Sequence, residues 1–200
     1  MLTVKPNSFI NSFPGALSPN VSIPITITDT GVVDAKTVDD IVNDATSTGL
    51  VTISSNATSL SGTRAIVTSV LDDDNAGTPK VDGSAALNIT LTDTNITADQ
   101  FVALVAKTTG KITTTISNTS NTELDKLTGT GHALTVVAND ASIGATLLSE
   151  IDAVTTLPVT FGTTFATITG TATDIINVLN SSILSILYVF ILNAIFFTYL

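Results

Sequence analysis

The most acidic run of the chain is Leu71-Asp-Asp-Asp-Asn-Ala-Gly77. Three consecutive carboxylates followed by an amide are hard oxygen donors of the kind calcium takes. Asp72, Asp73 and Asp74 are therefore the candidate metal ligands, and calcium is the one cofactor the sequence suggests. The run lacks the alternating ligands and the distant glutamate of an EF-hand loop. A second reading therefore stands beside the first: a solvated turn closing a helix, with Gly77 and Pro79 as breakers. Asp29, Asp93 and Asp140 each follow a strand-like run. They read as residues that end strands and satisfy turn backbone groups, the alternative being ions held between repeats. His132 is the sole histidine and there is no cysteine, which leaves zinc sites and thiolate catalysis without partners. Its Gly-Thr-Gly-His-Ala context reads as a turn entering a strand and lacks the third glycine of a dinucleotide fingerprint. No Gly-x-Ser-x-Gly elbow or phosphate loop occurs. The expectation is a chain that is not an enzyme and has no catalytic residues.

A broader surface could carry recognition. Thr26, Thr28, Thr52, Thr90, Thr92, Thr113, Thr115, Thr135 and Thr160 fall on alternate positions of strand-like runs. An array of hydroxyls on one face could order water as ice does, or contact a glycan. The plainer reading is that threonine suits half-buried strands and is soluble. The charge balance narrows the partners. Seven Lys and Arg against seventeen Asp and Glu give a formal charge of −10, which repels a phosphate backbone, so nucleic acid is not an expected partner.

The elements that would position these residues repeat along the chain. Ile-Thr-Ile-Thr-Asp-Thr from Ile25, Ile-Thr-Leu-Thr-Asp-Thr from Ile89 and Leu-Thr-Val-Val-Ala-Asn-Asp from Leu134 each precede an apolar stripe at helical spacing. Each is followed by a second, similar pair, beginning near Leu50, Lys111 and Leu157. The unit is a strand plus a helix of roughly 20 to 30 residues, repeated about six times. Thr97 with Gln100, Ser120 with Glu123, and Thr171 with Asp174 match capping boxes or their aspartate variant, and Asp34 suits the first helix start.

The strands alternate apolar and polar residues instead of running apolar throughout, so one sheet face is buried and the other meets water. The predicted fold class is α/β: a repeat solenoid of strand-helix units with a one-sided, Thr-lined parallel sheet, plus a C-terminal hydrophobic helix. The runner-up is a compact two-layer α/β domain. The predicted organisation is an N-terminal linker over 1–23, the repeat array over 24–182 and a hydrophobic C-terminal segment over 183–200.

The stretch from Ala145 to Ser181 carries a resemblance. Leu148, Ile151, Asp152, Thr155, Thr156, Val159, Ile168, Thr169, Gly170, Thr171 and Asp174 resemble the Thr/Asp-rich strand-helix repeats of large secreted or cell-surface proteins of cyanobacteria and marine bacteria. The likeness is weaker over Thr97–Ile112 and covers about half the chain. The resemblance implies an adhesin-like or structural role beside calcium-binding modules, an extracellular or cell-surface location, a glycan or surface partner, and further repeats of a longer chain. The competing expectation is a membrane-anchored accessory protein or calcium-binding repeat module.

Residues 183–200, Ile-Leu-Ser-Ile-Leu-Tyr-Val-Phe-Ile-Leu-Asn-Ala-Ile-Phe-Phe-Thr-Tyr-Leu, carry no charge and reach the lower length limit for a membrane-spanning helix. Three readings stay open: a membrane anchor, a reading-frame artefact, and a terminal helix that caps the array.

Overall fold

The computed structural model describes residues 2–4, 23–44, 49–117, 119–163 and 167–181. It is α/β, with parallel sheets and, among the described residues, six helices. The chain divides into two units, one of residues 1–93 and 104–113, the other of residues 94–103 and 114–200.

The first unit runs β1 (Leu2–Val4), β2 (Ile25–Ile27), β3 (Gly31–Asp34), α1 (Ala35–Asn43), β4 (Val51–Ile53), β5 (Ala57–Gly62), α2 (Arg64–Asp74), β6 (Val81–Asp82) and β7 (Asn88–Leu91). One sheet has the order β1-β2-β4-β6, all parallel, with Ile25 opposite Val51 and Val51 opposite Val81. In the other, β3 pairs β5 and β5 pairs β7, placing Val33, Leu60 and Ile89 in one row. Ile89 then pairs Ile112, where β8 (Ile112–Thr115) begins. The N-terminal stretch read as a linker thus contributes β1, and the rest of it up to Ser22 lies outside the described residues.

Before α1, and again before α2, the chain forms two strands where one was expected: β2 and β3, then β4 and β5. Ile25 and Ile89 align in sequence yet belong to different sheets. The apolar alternation stops at Asp29, and Gly31, with φ +80°, turns the chain into β3.

The core of this unit follows from the two periodicities. Ile27, Val51, Ile53, Val81, Leu60 and Ile89 point inward from the strands. Ala35, Val38, Ile41 and Val42 form the buried stripe of α1, and Val67, Val70 and Leu71 that of α2. Each Val, Leu or Ile among them contributes about 1.5–3 kcal/mol on burial. Gly110, between Thr109 and Lys111, packs so close to the Leu87 carbonyl that a Cβ there would collide with backbone.

The second unit holds most of α3 (Ala98–Val105), the end of β8, α4 (Asn121–Leu124), β9 (Ala133–Thr135), β10 (Val137–Ala138), β11 (Ser142–Gly144), α5 (Ala145–Val154), β12 (Thr160–Phe161), β13 (Thr167–Thr169) and α6 (Ala172–Asn180). Its pairings are parallel again: Ile96 with Ile116, His132 with Thr155, β10 with β12, and β11 with β13. Phe101, Leu124, Leu134, Ile143, Leu148 and Ile151 are large, fully buried side chains of this unit.

The capping expectations resolve separately. Thr97 and Gln100 exchange both bonds of a capping box, Thr97 N donating to Gln100 Oε1 (3.0 Å) and Gln100 N to Thr97 Oγ1 (3.2 Å). Thr171 Oγ1 accepts from Asp174 N (3.2 Å), and Asp34 accepts from Lys36 N (3.2 Å). Ser120 sits at the cap of α4 without a side-chain bond, and Glu123 turns to Lys126 instead. Among the described residues no helix is long and apolar enough to cross a membrane. The segment 183–200, expected as a hydrophobic helix, lies outside the described residues.

Candidate functional site

The acidic run closes α2, and its three carboxylates diverge. Asp72 pairs with Lys107, and Asp73 lies 3.9 Å from the Lys80 ammonium. Asp74 turns inward and accepts three hydrogen bonds on Oδ2, from Ser84 N, Ser84 Oγ and Ala85 N, each at 2.7 Å. Ser84 has no exposed surface, so Asp74 satisfies two polar groups that water cannot reach. Asn75 continues the connection, its amide donating to the carbonyls of Leu71 (2.7 Å) and Lys107 (3.1 Å). Among the described residues no three His, Cys, Asp or Glu side chains converge on a metal-sized site. An ion held by Asp72, Asp73 and Asp74 would have to displace Lys107 and the Ser84 turn.

Two of the aspartates that follow strands, Asp93 and Asp140, have a further use. The first backbone N–H of α2, on Arg64, donates to Asp93 Oδ2 at 2.5 Å. The first of α4, on Asn121, donates to Asp140 Oδ2 at 2.7 Å. In both cases a carboxylate 29 or 19 residues further along the chain supplies the cap. An orphan helix N–H carries partial positive charge, so a carboxylate is its best acceptor. For Asp93 and Asp140 the backbone groups satisfied are thus the starts of helices earlier in the chain. Sequence separation hid this, because capping motifs are sought within three residues of the helix.

Other polar links also join neighbouring elements. Ser69 on α2 donates to Asp39 on α1 at 3.0 Å. Lys126 bridges Glu123 (2.9 Å) and Asp99 (3.2 Å). Its hydrogen bond to Glu123, and next that to Asp99, raise its pKa above the ordinary lysine value. Lys36 is raised likewise by its bond to Asp40 at 2.7 Å.

The outward strand positions form in-register rows. Asp34, Ser61, Thr90 and Thr113 stand opposite one another in the second sheet of the first unit, and Thr26, Thr52 and Asp82 in the first sheet. Thr28, Thr90, Thr92, Thr113 and Thr135 are exposed, and Thr26, Thr52, Thr115 and Thr160 are half-buried. Neighbours within a row are about 4.8 Å apart. Asp34 and Asp82 are the only charged residues in the described strands, so these rows are nearly neutral, hydroxyl-rich surfaces. Val32, 65% exposed, stands in the adjoining row with Ser59 and Asn88. Thr114, by contrast, faces inward, with its hydroxyl buried.

His132 is a core residue. It is 6% exposed and meets Phe101 edge to face with ring centroids 5.2 Å apart. Its backbone bonds to Val154 and Thr156 continue the parallel pairing.

No protein-family model, curated protein or solved structure matches this chain.

Proposed function

We propose that this chain is a non-enzymatic structural or adhesive module of a secreted or cell-surface protein. In this reading the strand-turn-strand-helix coils stack as a solenoid, and the hydroxyl rows form a flat contact face. One observation supports it above the others: each paired strand finds its parallel partner one repeat further on. Ile27 meets Ile53, Leu60 meets Ile89, and Ile143 meets Ile168. Aspartate caps and polar links between the same neighbours add to it. Such a chain makes nearest-neighbour contacts only, the arrangement that lets repeats serve as spacers and extended surfaces. The neutral rows favour an uncharged partner rich in hydroxyls, such as a glycan surface, because charged side chains lie mostly on helices and turns.

Bead retention tests the adhesive part. Beads carrying the full chain are washed over films of a neutral glucan. The reading expects retention that Thr90→Lys with Thr113→Lys abolishes and that Asp40→Lys leaves intact. Retention equal to that of bare beads, or unchanged by the threonine substitutions, would contradict it.

A further inference from the structure

β1 lies outermost in the sheet β1-β2-β4-β6, with Leu2 opposite Ile25, Thr3 opposite Thr26 and Val4 opposite Ile27. Its Leu-Thr-Val repeats the apolar-Thr-apolar pattern of β2, Ile-Thr-Ile, and of β4, Val-Thr-Ile. Three residues thus fill, on one side of β2, the place that β4 fills on the other.

Backbone direction shows what β1 covers. Ile25 N donates to Leu50 O (3.0 Å) and Ile27 O accepts from Ser54 N (2.9 Å), so both residues turn their backbone groups toward β4. Along a strand these groups point to alternate sides, so Thr26 turns its N–H and C=O to β1. The β4–β6 pair gives the ladder rule: Val51 stands opposite Val81, and its N–H donates to the residue before, Lys80 (2.9 Å). By that rule Thr26 N–H meets the Leu2 carbonyl, and Val4 N–H meets the Thr26 carbonyl. Pro24, the preceding residue on the same side, has no N–H. Without β1, Thr26 would leave a donor and an acceptor open on the sheet edge, a template for another strand.

That edge is complementary to itself. Two antiparallel strands related by a two-fold axis place a residue opposite its own copy, and a hydrogen-bonded pair exchanges both N–H···O bonds. Thr26 on the axis would do so with Thr26 of a second copy. Residues 23–28 carry no charge, so no like charges meet across the axis. We propose that the β2 edge is a self-association interface, with a second copy of this chain as its partner and Leu2–Val4 as the strand that guards it. The guard keeps the chain monomeric, and its withdrawal lets two copies pair through Thr26. The interface lies at the edge of the sheet and does not depend on what the hydroxyl rows bind.

Full-length variants test both parts. Val4→Pro removes the N–H that the Thr26 carbonyl takes, whereas Thr3→Pro removes one that faces away from β2. In dilute protein the Thr26 amide should exchange at least tenfold faster in Val4→Pro than in wild type or Thr3→Pro. Sedimentation velocity at raised concentration should show a dimer for Val4→Pro and a monomer for the other two. The chain has no cysteine, so Thr26→Cys locates the contact. Under mild oxidation it should form a disulfide-linked dimer at least tenfold faster when Val4→Pro is also present. Thr26 exchange unchanged by Val4→Pro, or a dimer already present in wild type, overturns the guard. Faster exchange without a dimer overturns the interface, as does a dimer in which Thr26→Cys cross-links no faster. A Thr3→Pro chain that dimerises equally overturns the backbone register on which the guard depends.

Discussion

Asp74→Ala isolates what the acidic turn does. The substitution leaves Ser84 Oγ–H and Ser84 N–H, both in a fully buried residue, without their acceptor. A buried polar group left unsatisfied costs about 1–3 kcal/mol. Two such groups give an expected loss of about 3 kcal/mol, and the Ala85 N–H adds little because that residue is partly exposed. Asp74→Asn keeps a neutral acceptor and should lose about 1 kcal/mol. Adding Ser84→Ala to Asp74→Ala removes one orphaned hydroxyl and should recover about 1 kcal/mol. Urea unfolding followed by far-ultraviolet circular dichroism reads these differences, and the chain has no tryptophan to follow instead. The measurement is made in EDTA and in millimolar calcium. A loss of the stated size in both supports a structural Asp74. A loss below about 0.5 kcal/mol would refute the hydrogen-bond accounting. A loss seen only with calcium would make Asp74 an ion ligand first.

Other consequences follow from the contacts between repeats. Asp93→Ala and Asp140→Ala should each cost about 1 kcal/mol, with faster amide exchange at Arg64 and Asn121, read by hydrogen-exchange NMR. Gly110→Ala should cost about 2–3 kcal/mol in urea titration, since its Cβ would meet the Leu87 carbonyl. Lys126 has its folded pKa raised by Glu123 and Asp99. Its contribution is therefore complete below the unfolded lysine pKa and is lost as pH rises through the folded value. Unfolding titrations at pH 9 and above pH 11 should show the gap between wild type and Lys126→Met closing at the higher pH. A gap that stays constant would remove the ion-pair account.

Burial direction was legible in the sequence and topology less so. Alternation placed Thr90, Thr113 and Thr135 outward and Ile27, Ile53 and Ile89 inward, because a strand shows its two faces in strict succession. Local capping signals at Thr97 and Thr171 were readable for the same reason, as donor and acceptor lie within three residues. Asp29 marked the end of β2, but the second strand beyond Gly31 was not readable, since it is four residues long with Val33 as its one fully buried position. The caps from Asp93 and Asp140 were hidden too, because register between repeats decides which helix a carboxylate meets. The acidic run showed its composition but not its geometry: three adjacent carboxylates at a helix end point apart, and each meets a different partner.

Pulling the full chain by its two ends in an optical trap tests the stacked-coil reading most directly. Coils that contact only their neighbours should unravel in steps of one coil. Partners such as Ile27 and Ile53 lie about one repeat apart. At roughly 3.3–3.6 Å per extended residue, each step should add about 85 Å of contour length. A run of several such steps is the predicted result. A single cooperative extension on the order of 500 Å would contradict it and describe one indivisible α/β domain.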